Sequence, residues 1–215
     1  MTKRGRFGSE IRFPNRPLFV TFTAYHIVGL DAETGELLWS QEQTNYPPEK
    51  RSPGYGDTHA NSVIYSDGSI YYVAGDGNGG VRLDISEDGG KITEVWRNPG
   101  FDSFMGGVVK IGNYLYTSGT TSQYLKSIDA TTGVLTDSLR IGQGAVIAAN
   151  GMLYYYNQRG EMNLVKYDRG KLELISTFRI TRGTRHHFSH PVIYNGILYL
   201  RHGEALMAYD ITLRK

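Results

Sequence analysis

Short apolar stretches alternate with turn residues along the chain, and helical periodicity is nearly absent. Ile70-Tyr71-Tyr72-Val73, Tyr114-Leu115-Tyr116, Met152-Leu153-Tyr154-Tyr155-Tyr156 and Ile197-Leu198-Tyr199-Leu200 are too short for helices and rich in aromatic residues. They predict strands. Each follows a turn at once: Ser66-Asp67-Gly68-Ser69, Ile111-Gly112-Asn113, Ala149-Asn150-Gly151 and Tyr194-Asn195-Gly196. Asn, Asp and Gly tolerate the positive φ of tight hairpins, so these pairs predict antiparallel neighbours.

A second landmark is a strand-ending Asp, at Asp31, Asp84, Asp129, Asp168 and Asp210, spaced 53, 45, 39 and 42 residues. Self-similarity at such a period marks an array or a propeller. In two copies the turn reads Asp-Ala-x-Thr-Gly, at Asp31–Gly35 and Asp129–Gly133. The carboxylate can accept backbone N–H groups there, and Gly supplies the left-handed position. A catalytic carboxylate pair is needed once, whereas these Asp recur in every unit, so they are expected to be turn caps. A further strand follows, as in Leu37-Leu38-Trp39 and Val95-Trp96. Four antiparallel strands per unit make a propeller blade.

The pattern thus predicts an all-β fold, a β-propeller of about four and a half four-stranded antiparallel blades. Complete blades are placed at 59–97, 105–140 and 143–179. A partial blade at 18–40 lacks its innermost strand, and another at 188–211 lacks its outermost. Residues 1–17 form a basic N-terminal arm in this division, with residues 6–13 the candidate for the missing strand. Open blade edges at both ends predict self-association.

Composition narrows the function classes. The chain has 215 residues, with 40% hydrophobic and 20% charged, which suits a globular body. The net charge of +2 is misleading. Lys3, Arg4, Arg6, Arg12 and Arg16 stand against Glu10 in the arm, while the rest carries 18 basic and 20 acidic residues. A nucleic-acid binder shows its basic footprint on the folded body, so no nucleic-acid partner is expected. There is no Cys, which removes disulfides, thiolate nucleophiles and Cys-bound zinc. No stretch approaches the roughly 20 apolar residues of a membrane span. Pro14 and Pro17 interrupt the basic start, and Leu18–Leu30 contains Thr21, Thr23, Tyr25 and His26. That is no secretory signal. The expectation is a cytoplasmic protein or a chain lacking its true N-terminus.

Asp-Ala-x-Thr-Gly-x3-Trp at Asp31–Trp39 resembles the repeat of pyrroloquinoline-quinone (PQQ) propellers. That superfamily includes quinoprotein alcohol dehydrogenases and the propeller lipoprotein of outer-membrane barrel assembly. Residues 57–211 are similar to the bacterial PQQ-like repeat proteins called polyvinyl-alcohol-dehydrogenase-like. The carrying segments include His59-Ala60-Asn61-Ser62, Glu94-Val95-Trp96-Arg97-Asn98, Gly106-Gly107-Val108-Val109, His187-Phe188-Ser189-His190-Pro191-Val192-Ile193 and Leu200-Arg201-His202-Gly203. The resemblance implies the C-terminal part of a seven- or eight-bladed propeller in a periplasmic or secreted protein. It carries over fold, not activity. Departures are visible too. The Trp that packs between blades is present at Trp39 and Trp96, but the third unit places Asp137 there. A His pair of related proteins is replaced by Phe104 and Met105. The vicinal Cys pair that helps hold PQQ in true quinoprotein dehydrogenases has no counterpart, and no calcium site is evident.

His59, His187 and His190 begin or precede innermost strands, near the channel where propellers bind ligands. A His there could act as a base or polar anchor, or hydrogen-bond backbone between blades. His187 and His190 could contribute to a metal site, but no third ligand is evident. Arg182, Arg185, His186 and His187 could receive an anion or form a solvated loop. Gly75-Asp76-Gly77-Asn78-Gly79-Gly80 lacks the following helix of a phosphate loop and the closing Glu of a calcium loop, so it predicts a hairpin connection. Ser-His-Asp catalysis has no support, because no Gly-x-Ser-x-Gly elbow occurs.

Two functions follow. One is a non-catalytic propeller scaffold binding a protein, glycan or small molecule through its channel or top face, with His59, Arg185, His187 and His190 as ligand contacts. The other is a quinoprotein-type alcohol dehydrogenase using PQQ and calcium. There His190 or His187 would take the alcohol proton while hydride passes to the quinone.

Overall fold

A computed structural model describes residues 9–13, 16–51, 59–103, 105–119 and 122–212. Lys3, Arg4, Arg6 and Phe104 lie outside the described residues. The chain divides into two compact units, Met1–Phe104 and Met105–Lys215.

In the first unit, β1 (Ser9–Phe13), β2 (Arg16–Phe22), β3 (His26–Asp31) and β4 (Leu37–Glu42) form one antiparallel sheet in sequence order. A second holds β5 (Ile64–Ser66), β6 (Ser69–Ala74), β7 (Gly79–Ile85) and β8 (Ile92–Asn98). Residues 9–13, within the segment that charge marked as an arm, thus form a strand. Ile11 is the reason, since its side chain is buried with Leu18, Val20, Ile27, Trp39, Ile70 and Tyr72 in one core spanning both sheets. Burying one such side chain contributes roughly 1.5–3 kcal/mol, enough to hold a segment that charge alone would leave in water.

The second unit has three sheets. β9 (Val108–Ile111), β10 (Tyr114–Ser118), β11 (Leu125–Asp129) and β12 (Leu135–Leu139) make one. β13 (Gly144–Ala149), β14 (Met152–Asn157), β15 (Glu161–Asp168) and β16 (Lys171–Arg179) make the next. β17 (Val192–Tyr194), β18 (Ile197–His202) and β19 (Ala205–Asp210) make a three-stranded third. Side chains on successive strand residues face opposite ways. Leu153 and Tyr155 accordingly pack with Tyr116 and Leu125, whereas Tyr154 and Tyr156 pack with Leu198 and Leu200. A strand buried on both faces explains why β14 reads as an unbroken apolar run. The Tyr155 hydroxyl then needs a buried acceptor and donates to Gly142 O at 2.7 Å. Burial pushes that phenol's pKa up.

The turns follow their residues. Asp67-Gly68, Asn150-Gly151 and Asn195-Gly196 all have positive φ, as type I′ hairpins require. Asp31 Oδ1 accepts N–H bonds from Glu33 and Thr34, each at 2.9 Å, and Asp129 Oδ1 accepts from Thr131 at 2.8 Å and Thr132 at 2.9 Å. Asp210 caps Thr212 N at 2.9 Å. Asp84 departs from the expected cap: its carboxylate takes Ser69 Oγ at 2.7 Å and Arg82 Nε at 2.9 Å. Capping there passes to Asp88, which accepts Gly90 N at 3.0 Å.

The pairings of β3 with β4, β7 with β8, β11 with β12 and β15 with β16 each carry one register shift. A bulge at one place in every four-stranded sheet increases its twist. Repeated twisted sheets of this kind are the blades of a β-propeller.

Candidate functional site

His59 belongs to the first unit. Its ring stacks on Phe22, with centroids 4.9 Å apart and planes at 26°. Phe22 in turn meets Tyr72 edge-on at 5.4 Å. A cavity of about 80 Å³ opens beside Phe22, His59 and Asn61. Asn61 Nδ2 closes it by donating to Val73 O at 3.1 Å and Ser103 O at 2.6 Å. The site is small and lined by groups that tie the β5 entry to neighbouring backbone.

His187, His190 and Arg185 lie in the second unit, on the connection between β16 and β17. His190 Nε2 lies 2.9 Å from Met105 O, and its ring rests on Gly107. A Cβ at residue 107 would come within 3.1 Å of His190 Cε1. His187 Nδ1 is hydrogen-bonded with the Tyr156 hydroxyl. The His187 ring stacks on His202 with centroids 3.6 Å apart and planes at 20°. Burial, then the His202 charge, then Arg179 lower the His187 pKa below its ordinary 6.5. A neutral imidazole accepts the phenol proton at Nδ1, so the shift and the hydrogen bond agree.

His202, in the sequence only one residue of the Leu200–Gly203 segment, organises the loop. Its Nδ1 lies 2.8 Å from Arg182 O and its Nε2 lies 2.8 Å from Arg185 O. Both ring nitrogens therefore face backbone carbonyls of the loop. The structure brings His187 and Arg185 together through His202. His190 anchors separately, at the start of β9.

Beside this cluster is an open cleft of about 700 Å³, lined by Arg185, His186, Phe188, Arg201 and Glu204 among others. Phe188, Arg201 and Glu204 were not singled out from the sequence. Phe188 and Arg201 were present only within segments, and nothing in strand periodicity sets Glu204 apart.

The cofactor implied by the PQQ resemblance does not fit the described residues. The Trp39 indole is buried, and its Nε1 donates to Gly89 O at 3.1 Å. His187 Nδ1 is engaged by Tyr156, and His190 Nε2 by a backbone carbonyl. The sequence offers no Cys pair. Among the described residues, no three His, Asp or Glu side chains are grouped to hold a metal ion. No helix among them is long and apolar enough to cross a membrane.

A family model described as outer membrane protein assembly factor BamB matches residues 8–136. No curated protein matches the sequence. Solved structures share the fold at low identity. A putative 6-phosphogluconolactonase from Bacteroides uniformis ATCC 8492 aligns with TM-score 0.66 at 11% identity, over 94% of this chain and 65% of that one. A functionally unknown protein from Desulfotomaculum acetoxidans DSM 771 gives 0.65 at 10%, over 98% and 70%. The computationally designed Ika8 protein gives 0.63 at 14%, over 94% of this chain. The chain spans 57% of the length of that designed protein.

Proposed function

Because the chain belongs to the PQQ-like repeat family described as outer membrane protein assembly factor BamB, we propose that it is a propeller scaffold without catalytic chemistry of its own. Its partners are proteins, and its place is periplasmic or at the outer membrane, or secreted. The family match over residues 8–136 is the observation that carries this reading. Two further features support it. The candidate bases His187 and His190 spend a ring nitrogen on Tyr156 and on Met105 O. Apolar side chains also stand exposed on strands at the sheet margins: Leu37 on β4, Val95 on β8, Leu135 on β12, Leu174 on β16 and Leu206 on β19. Exposed apolar groups of this kind suit protein docking.

The test is a photo-crosslinking residue placed in turn at Leu174, at Leu206 and at the hairpin position Asn150. The first two should trap envelope proteins that Asn150 does not. A melting temperature that rises with PQQ plus calcium would overturn the scaffold reading in favour of the quinoprotein one. Light scattering on the same sample reports self-association through open strand edges.

A further inference from the structure

The cleft of about 700 Å³ on the three-stranded sheet is built by the 182–189 segment and the turn from β18 to β19. That size lies within the range of sites that bury small ligands. Its walls are preorganised. His202, itself buried, fixes Arg182 O and Arg185 O at 2.8 Å each. Arg185 is held at φ 75, a conformation that costs a non-glycine residue of order 1–3 kcal/mol. Gly183 and Gly203 interlock the two walls, since a Cβ at either would strike the other wall's backbone at His202 O or Thr184 O. Arg201 Nε donates to Gly203 O at 2.9 Å, which leaves its terminal amino groups for another acceptor.

The chemistry of the walls is specific. Arg185 and Arg201 have no ion-pair partner among the described residues. The cleft's carboxylate, Glu204, is held by Thr184 Oγ1 at 2.7 Å. His186 and Phe188 stack face to face, centroids 5.0 Å apart and planes at 9°, and Phe188 remains 49% exposed. A flat ring surface beside two unpaired guanidinium groups matches a flat ring that carries an anion.

We propose that this cleft binds an aromatic ring with a carboxylate beside it, the ring lying on the open face of Phe188, which His186 backs, and the carboxylate taken by Arg185 and Arg201. Such a group can come from a free aromatic acid or from an aromatic residue beside an acidic one in a polypeptide. The site stands whether or not the scaffold reading holds, because it rests on this loop alone.

The experiment titrates the full chain with 2-naphthoate, with the neutral 2-naphthamide, with acetate, and with a blocked Glu-Phe-Glu peptide, followed by calorimetry. Naphthoate should bind saturably, about tenfold more tightly than naphthamide or acetate, a ratio equivalent to about 1.4 kcal/mol. Arg185→Gly removes the guanidinium at a position where glycine is unstrained, so it should fold and lose about tenfold in affinity. Phe188→Ala changes an exposed ring and should lose a similar factor. Glu204→Gln should bind more tightly. Tighter binding of the peptide than of naphthoate assigns the ligand to a polypeptide; the reverse assigns it to a free acid. Absence of saturable binding by both probes would overturn the proposal. So would naphthoate binding that Arg185→Gly and Phe188→Ala leave unchanged while both variants melt as the parent does.

Discussion

Trp39 and Asp137 occupy the same repeat position and brace one sheet against the next with opposite polarity. Trp39 Nε1 donates to Gly89 O at 3.1 Å, in the turn before β8. Asp137 Oδ2 accepts from Leu172 N at 3.0 Å, just after the turn before β16. In each unit the contact reaches the last hairpin of the following sheet. The repeat therefore conserves a strut in space while changing which side carries the hydrogen.

Trp39→Phe keeps most of the packing and loses the N–H bond, so it should cost about 1 kcal/mol. Trp39→Ala should cost about 3–5 kcal/mol, as removal of a large buried ring does. Urea melts of both variants check the ratio. Equal losses would show that the hydrogen bond, not the packing, holds the sheets.

Asp137→Ala leaves the Leu172 amide facing a methyl group and should cost about 1–2 kcal/mol. Asp137→Asn retains an acceptor and should recover part of that. Hydrogen exchange at Leu172 is the local readout, and it should quicken in the Ala variant more than in the Asn variant.

Gly29 sits beneath the Trp39 indole, where a Cβ would fall inside the ring. Gly29→Ala should therefore destabilise the first unit at least as much as Trp39→Ala, because the ring must leave its site. Tryptophan fluorescence would show it as a red-shifted native spectrum. An unshifted spectrum with parental stability would contradict the packing.

The His187 pKa is lowered in the folded chain, so the unfolded chain takes up the proton first. Stability from this group is complete above the unfolded value of 6.5 and is lost as pH falls below it toward the folded value. Melting temperature should thus decline on acidification from pH 6.5. His187→Gln, which can still accept from Tyr156, should flatten that slope. An identical slope in the variant would assign it to other groups.

Strands and turns were legible in the sequence because they depend on neighbours. Asn150-Gly151 and Asn195-Gly196 can take positive φ wherever they sit, and Asp31 and Asp129 reach N–H groups two and three residues ahead. The repeat family was legible for the same reason, since one local pattern recurs. The sequence also marked Asp137 as the residue replacing Trp, though not what it would bond.

What only the tertiary structure decided depends on groups far apart in the chain. The sequence offered residues 6–13 both as basic arm and as candidate strand, and the core around Leu18 and Tyr72 decides for the strand at residues 9–13 by accepting Ile11. His187 receives its Nδ1 partner from Tyr156, 31 residues away. Arg185 gained its place from His202, 17 residues on, which holds its carbonyl. Local propensity fixes what a segment can be. The role of a polar side chain is set by whichever donor or acceptor the fold brings within about 3 Å, and periodicity carries no record of that distance.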